Sequence, residues 1–134
     1  MQRSVIAAFQ DADISVSIVW INMLENDSPA TVEKSAQIIV EPRVRHFHDP
    51  ERRAGRAIAQ ALGGQGDIAW DIYLFYPKGS EWLDRPPMPI TWMHQLMLSN
   101  WADAAHQHCG GDLVAQLCDS MIRLGFRLST NAAG

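Results

Sequence analysis

The sequence predicts an α/β domain in which strands alternate with helices and form a mixed sheet covered on both faces. The first observation is the run from Trp70 to Tyr76, which is rich in aromatic and β-branched residues and holds one charge, Asp71. Such a run is typical of a strand buried on both faces. The second is another apolar run, Ile14 to Leu24. The third is the helical periodicity of the segments around these runs.

Helices and one extended segment are predicted before the central run. Apolar spacing predicts helices at residues 2–11, 31–40 and 50–62. Asp27 or Ser28 is placed to cap the second helix and Asp49 the third, and in each case a proline follows at the start of the helix. Residues 43–48 are predicted to be extended.

After the central run, the sequence predicts a hairpin, an irregular connection and two further helices. Residues 77–80 have turn chemistry, so residues 81–83 are expected to return as a short antiparallel strand. Residues 84–89 hold three of the seven prolines and are predicted to be irregular. The helices are predicted at 91–106 and 113–124, with Gly110-Gly111 between them, Asp112 as the cap of the second, and a frayed tail at 125–134.

Composition favours one globular domain of 134 residues and excludes several functional classes. The net charge of −4 gives no general attraction to nucleic acid. No apolar run approaches the ~20 residues that span a bilayer, and the N-terminus lacks a secretory signal, so we expect a cytoplasmic protein without membrane contact. Cys109 and Cys118 do not form a disulfide framework and are expected to be reduced thiols.

The order of these segments resembles the thioredoxin-like superfamily, in its thiol-disulfide oxidoreductase and peroxiredoxin-like branch. There, a strand (here Val16–Leu24) leads to a loop with an acidic residue (Asp27) and a helix. An extended segment ending in Asp (Arg43–Asp49), a helix, a strand–turn–strand (Ile72–Trp82) and a closing helix (Leu113–Leu124) follow. The resemblance implies a three-layer α/β/α sandwich with a mixed sheet. Trp70-Asp71 and residues 92–96 also resemble segments of uncharacterised bacterial members.

Two departures from that family remove its redox site. Redox members carry Cys-x-x-Cys at the start of their first helix, and this chain has no such motif. The family also places a cis-proline before the strand that faces the cysteines, where this chain has Ala69-Trp70. We therefore expect a redox-inactive protein that acts through binding or assembly, without a cofactor. The alternative is an oxidoreductase whose Cys-x-x-Cys lies upstream of Met1.

The resemblance also implies that the domain is incomplete at its N-terminus, because the family's first strand lies near the middle of the sheet. Its loss would leave strand edges to pair, cover or expose. Three explanations stay open. The chain extends upstream of Met1, the strands near 14–24 and 70–76 pair directly, or a second chain fills the gap.

Histidines and a cysteine form two candidate metal sites, and a small metal-binding domain is the weakest functional alternative. His46 and His48 lie on one side of an extended segment, and His106, His108 and Cys109 form a second group. Imidazole and thiolate suit zinc or copper. Neither group has a second ligand pair at zinc-finger spacing, so structural or surface roles are the competing interpretation.

Five arginines within fourteen positions form a candidate anion-binding face: Arg43, Arg45, Arg52, Arg53 and Arg56. A helix N-terminus near Pro50 would support anion binding. The competing interpretation is a solvated helix face with salt bridges to neighbouring acids.

Large aromatic and sulfur-containing side chains after the central run form a candidate partner surface: Trp82, Trp92, Met93 and His94. Packing within the core is the competing interpretation. A protein partner or a homodimer is the expected occupant, since aromatic and Met-rich surfaces favour association. Asp71, inside the central run, is predicted to be either a buried acid with a raised pKa or a solvent-facing residue at the start of the strand.

Overall fold

The computed structural model of the chain describes residues 2–23, 27–97 and 99–127. Within these residues the secondary-structure elements follow one another as helix, strand, helix, strand, helix, two strands, a single 3₁₀ turn at Ala104–His106, and a helix. They are α1 (Gln2–Ala8), β1 (Val16–Ile21), α2 (Pro29–Ala36), β2 (Val44–Asp49), α3 (Arg53–Ala61), β3 (Ile72–Phe75), β4 (Thr91–His94) and α4 (Gly110–Arg123). The predicted α/β class is confirmed.

The strands form two small sheets. β1 pairs with β2 in parallel, and β3 pairs with β4 antiparallel. In the described part of the chain β1 and β3 form no ladder with each other, so the direct pairing of the two apolar runs is not observed. Among the described residues the predicted central strand pairs with β4 alone, and Ile72–Phe75 is half-buried throughout rather than buried on both faces.

Helix α2 begins where local chemistry predicts, but it ends at Ala36, four residues before the predicted end at residue 40. Ser28 caps α2, since its hydroxyl accepts from the Thr31 N–H while the Thr31 hydroxyl accepts from the Ser28 N–H. Pro29 occupies the first turn of the helix, as predicted. The predicted extended segment is β2. Leu24, the end of the first apolar run, lies outside the described residues.

Asp49 caps α3, although the helix starts three residues later than predicted. Its carboxylate accepts from the backbone N–H groups of Arg53 and Ala54 at 2.9 Å. Arg52 adopts a left-handed conformation with φ 61° at the N-cap position, which lets the chain turn between Asp49 and the helix.

The predicted hairpin is wrong, because β3 pairs with β4 and not with residues 81–83. Pro77 and Ser80 do form a turn, with the Ser80 N–H donating to the Pro77 carbonyl at 3.2 Å. The chain then leaves the sheet, and Glu81, Trp82 and Leu83 are exposed. It returns only where Ile90 N–H donates to the Phe75 carbonyl at 2.7 Å.

The helix predicted over 91–106 is also wrong. Its first residues form β4, in which Met93 pairs with Tyr73 and Trp92 with Leu74. The apolar spacing of this segment fitted a helix, but pairing with β3 overrides the local pattern. Leu98, within the predicted helix, lies outside the described residues.

The last helix starts earlier than predicted, and Asp112 is not its cap. Cys109 holds the N-cap position, and Asp112 lies inside the first turn of α4. At the other end, Gly125 has φ 91° and its N–H donates to the Ile122 carbonyl, while Phe126 N–H donates to the Met121 carbonyl. This is a Schellman closure. The predicted frayed tail therefore begins with ordered residues, and residues 128–134 lie outside the described part.

The hydrophobic core lies between α1, α4 and the β3–β4 sheet. Its buried members come from these elements and the turn after α1: Val5, Phe9, Met93, Leu113, Leu117 and Met121. Tyr73 and Phe75 of β3 pack against them from the sheet. No residue of β1, α2 or β2 belongs to this cluster of described residues, so the β1–β2 sheet lies to one side of the main core.

Candidate functional site

The connection between β3 and β4, residues 76–90, is called the β3–β4 loop. Its ends are fixed by the turn at Pro77–Ser80 and by the hydrogen bond from Ile90 to β3. Lys78 adds an ion pair to Asp13 at 2.6 Å, which holds the pKa of the Asp13 carboxyl below its usual value. Pro86 is buried and anchors the middle of the loop. The loop is therefore tied to the domain at several points.

Four large apolar side chains of the β3–β4 loop face solvent. Trp82, Leu83, Met88 and Ile90 are each between 47% and 77% exposed. Connections of this length are uncommon in compact domains and are usually functional when they are ordered. Exposed aromatic and sulfur-containing side chains are enriched at protein interfaces.

The other residues of the predicted partner surface lie on β4 and are half-buried or buried. Trp92 is half-buried, and its ring stacks on His106 with centroids 4.1 Å apart and, on a longer contact, with Trp101 at 6.4 Å. Met93 and His94 are buried, so they do not offer a surface to a partner. Trp82 of the predicted partner surface is exposed, whereas Met93 packs in the core.

His94 is a structural histidine. The Leu96 N–H donates to its Nδ1 at 3.0 Å, and its Nε2 donates to the Asp103 carbonyl at 2.8 Å. Because the first partner only donates and the second only accepts, the ring carries its hydrogen on Nε2. His106 similarly donates from Nδ1 to the Trp92 carbonyl at 2.8 Å. These bonds hold the segment after β4 against the strand.

Asp71 lies at the start of β3 with φ 49°, an uncommon conformation for a non-glycine residue. Much of the residue is exposed, but burial removes part of the hydration of its carboxyl and raises its pKa. Burial, with the charge of Asp71 added, also raises the pKa of Tyr73, against a hydrogen bond from Gln95 that lowers it. Both alternatives predicted for Asp71 are therefore partly right.

The structure does not bring the predicted metal ligands together. Trp20 Nε1 donates to His46 Nδ1 at 3.1 Å, and His46 Nε2 donates to the Ile39 carbonyl at 2.9 Å, so both ring nitrogens are engaged. His48 Nε2 bonds to Asn22 Oδ1 at 2.7 Å. A metal at His46 would have to displace the indole donor.

The histidines of the second predicted metal site also form hydrogen bonds with separate partners. His108 Nδ1 donates to the Asp112 carboxylate at 2.6 Å, while His106 is committed to Trp92. Cys109 is an exposed free thiol, and Cys118 is a half-buried one on the same helix. Among the residues that the structure describes, no three His, Cys, Asp or Glu side chains are placed to hold a metal ion.

Arg43 is a structural clamp rather than an anion ligand. Its Nη1 donates to the carbonyls of Phe9 and Ala12 at 2.7 and 3.0 Å, and its Nε pairs with Glu41 Oε1 at 2.8 Å. The other oxygen of Glu41 is buried without a hydrogen-bond donor in the described part, and the adjacent guanidinium supplies its charge compensation. Arg43 therefore ties the start of β2 to the end of α1.

The remaining arginines point to different neighbours. Arg52 Nε donates to the Asn22 carbonyl at 2.6 Å, while Arg53 pairs with Glu51 and Arg56 donates to the Glu51 carbonyl. Arg45 is exposed on β2 and has no ion-pair partner among the described residues. The five arginines of the predicted anion-binding face therefore have different roles. Some donate to backbone carbonyls, and the others form surface contacts or are exposed.

Sequence reasoning missed Leu83 and Ile90, which lie with Trp82 and Met88 on the β3–β4 loop. The available signal was the proline cluster at 84–89, flanked by apolar residues on both sides. A turn that is followed by prolines delays the return of the chain to the sheet, and the residues in between stay outside it.

Compared with known proteins, the chain matches no protein-family model, no curated protein and no solved structure. Its site is therefore interpreted from its own geometry. Over the described ranges, none of the helices has the length and apolar character required to cross a membrane.

Proposed function

We propose that this chain is a non-catalytic, thioredoxin-like domain that binds a protein partner through its β3–β4 loop. The observation that carries the proposal is the exposure of Trp82, Leu83, Met88 and Ile90 on a loop that is fixed to the domain. Removing such side chains from water on association contributes about 25 cal/mol per Å² of apolar area.

The anchoring of the loop lowers the entropic cost of binding. A loop that is already ordered by Pro86, the Pro77–Ser80 turn and the bond from Ile90 to β3 loses little freedom when a partner covers it. Prolines restrict the conformations of the unbound loop further. The geometry therefore suits a preformed binding surface.

The non-catalytic part of the proposal rests on the thiols. Cys109 is free at the N-cap of α4 and Cys118 is free inside the helix, and a separation of nine residues corresponds to roughly 13 Å at the rise of an α-helix. Disulfide formation needs Cα atoms within about 7 Å. The thioredoxin-like scaffold is supported by the sequence resemblance and stays a prediction.

The binding proposal is tested by affinity purification from the protein's own cells with quantitative mass spectrometry. The test variant is Leu83→Ser with Met88→Ser, and the matched control is Ile38→Ser with Ile122→Ser, which replaces two exposed apolar residues elsewhere. We expect a partner protein to copurify with the wild type and with the control. Its recovered amount should fall about tenfold with the loop variant. Identical recovery with all three chains would contradict the proposal.

The absence of catalysis is tested separately by insulin reduction with dithiothreitol. The expected result is no acceleration over the uncatalysed rate, because the two thiols are held apart on α4. Turnover by this chain, abolished by Cys109→Ser, would replace the binding proposal with an oxidoreductase.

A further inference from the structure

The outer edge of β2 is open. Val16 N–H donates to the Arg43 carbonyl, and the parallel register pairs Val16 with Val44 and Ile18 with His46. Because backbone groups alternate along a strand, those of Val44, His46 and His48 point away from β1. In the described part of the chain the N–H groups of His46 and His48 bond to no other backbone group outside the sheet, whereas Val44 N–H donates to Glu41.

The surroundings of this edge leave room for another strand. A groove of about 320 Å³ lies beside it, lined mostly by apolar groups that include Ile39, Val40 and Val44. On the opposite face of the sheet, Phe47 is 49% exposed beside Val19 at 37%. An open edge with exposed apolar neighbours is a template for strand pairing.

We propose that two copies of this chain pair through their β2 edges and form a continuous four-stranded sheet. Two-fold symmetry makes the two β2 strands antiparallel. Centring the pair on His46 places Val44 opposite His48 of the partner subunit. The backbone groups of His46 and His48 and the Val44 carbonyl can then join the ladder, while the Val44 N–H stays bonded to the Glu41 carbonyl. It also places Arg45 directly opposite Phe47 of the partner subunit on the exposed face.

Chemical complementarity selects this register. Centring on Arg45 would put two guanidinium groups opposite each other, and like charges in directly opposed positions are destabilising. Centring on Phe47 would bring Pro50, which has no N–H, into the ladder. Centring on His46 instead sets the unpaired guanidinium of Arg45 against an exposed aromatic ring, which is a favourable cation–π contact.

This interface lies on the β1–β2 sheet and is independent of the β3–β4 loop. The two proposals therefore fail separately. A dimer through β2 leaves the loop free on both copies for a partner protein.

Sedimentation equilibrium of the purified chain tests the dimer. At roughly 100 μM the wild type is expected at twice the 15.0 kDa mass of one chain. Phe47→Lys sets a lysine opposite Arg45 and is expected to raise the dissociation constant at least ~tenfold. Phe47→Glu sets a carboxylate there and is expected to retain the dimer, which also shows that changing this exposed side chain leaves the fold intact.

The charge reversal completes the test. Arg45→Glu combined with Phe47→Lys restores opposite charges across the strands and is expected to restore the dimer. A wild-type chain that is monomeric at that concentration would overturn the proposal, as would equal effects of lysine and glutamate at position 47. A dimer that dissociates on Leu83→Ser but survives Phe47→Lys would place the interface on the β3–β4 loop and would also overturn it.

Discussion

The α1–α4–β3–β4 region and the β1–α2–β2 region are stabilised in different ways; we call them the packed half and the open half. The packed half contributes the core cluster around Phe9 and Leu113, which are inaccessible to solvent. In the open half no residue of α2 is buried, and the strands alternate between half-buried and exposed positions. The buried apolar cluster lies in the packed half, whereas side-chain hydrogen bonds such as Trp20–His46 and His48–Asn22 join the strands of the open half.

This difference concerns how each half is stabilised. A buried cluster contributes through the apolar area that it removes from water. The open half, with its free β2 edge and exposed Phe47, retains the groups that another strand can use. The four predictions below test this division.

Leu113→Ala should have the largest effect, because it removes a fully buried side chain from the packed half. We expect the free energy of unfolding to fall by about 3 kcal/mol, from lost burial and the cavity left behind. The measurement is urea unfolding followed by circular dichroism. The control is Val19→Ala in the open half, for which about 0.5 kcal/mol is expected. Equal losses would contradict the division.

Arg43→Met should have the second-largest effect on stability, because Arg43 connects the packed half to the open half. The substitution leaves the carbonyls of Phe9 and Ala12 without their charged donor and the Glu41 carboxylate without its cation. A loss of about 2 kcal/mol is expected in the same unfolding experiment. Arg53→Met, at a largely exposed residue paired only with Glu51, should change stability by less than about 0.5 kcal/mol. An Arg43 effect no larger than that of Arg53 would refute the clamp.

Trp20→Phe should cost about 1 kcal/mol, since it preserves an aromatic ring but removes the indole N–H that donates to His46. The control is Trp82→Phe, where the ring is exposed on the β3–β4 loop and the change should be within about 0.5 kcal/mol. If the two substitutions are equivalent, hydrogen bonding does not determine the open half.

Asp71→Asn should have the smallest effect, and its sign depends on pH. Because the folded-state pKa is raised, the folded protein binds the proton more tightly than the unfolded chain, and stability falls as the pH rises from 3.8 through the folded pKa. The variant should therefore raise Tm at pH 7, and the difference should vanish below pH 3.8. Asparagine also tolerates the positive φ.

The control for this pH dependence is Asp13→Asn, which has the opposite sign. Lys78 lowers the pKa of Asp13 in the folded state. The ionised carboxylate therefore stabilises the folded protein at pH values above the pKa of the unfolded chain, and this effect is lost as the pH falls through the folded-state pKa. Its replacement should lower Tm slightly at pH 7. Shifts of the same sign for both variants would show that these carboxyl environments are misassigned.

Local features of the fold could be predicted from the sequence. Asp27 or Ser28 was predicted to cap α2, and Ser28 does so; Asp49 was predicted to cap α3, and its carboxylate accepts from the first-turn N–H groups although Arg52 holds the N-cap position. Such predictions succeed because a cap acts within a few residues of its own helix. The pairing of β3 with Thr91–His94 could not be predicted from the sequence. It joins segments separated by the β3–β4 loop, and the apolar spacing of residues 92–101 predicted a helix there. Non-local pairing decides such segments.

The candidate site was also predictable only in part, because non-local contacts determine which of its residues are exposed. Trp82 was identified from its residue type, but Met93 and His94 point to opposite faces of β4 and both are buried. Met93 packs in the core and His94 bonds to the Asp103 carbonyl, so their burial depends on non-local packing on both faces of the strand. The role of Arg43 likewise depends on α1 lying beside the start of β2.

Native-state hydrogen exchange with mass spectrometry tests the division between the halves most directly, using the Phe47→Lys variant so that pairing of β2 edges does not contribute. Amides of α4 around Leu113 and Leu117 should exchange only by global unfolding, and their protection should match the free energy of unfolding. Amides of β1 and β2 should exchange faster, by a local opening that leaves the core intact. Equal protection in both regions would contradict the account, because the open half would then unfold only together with the core.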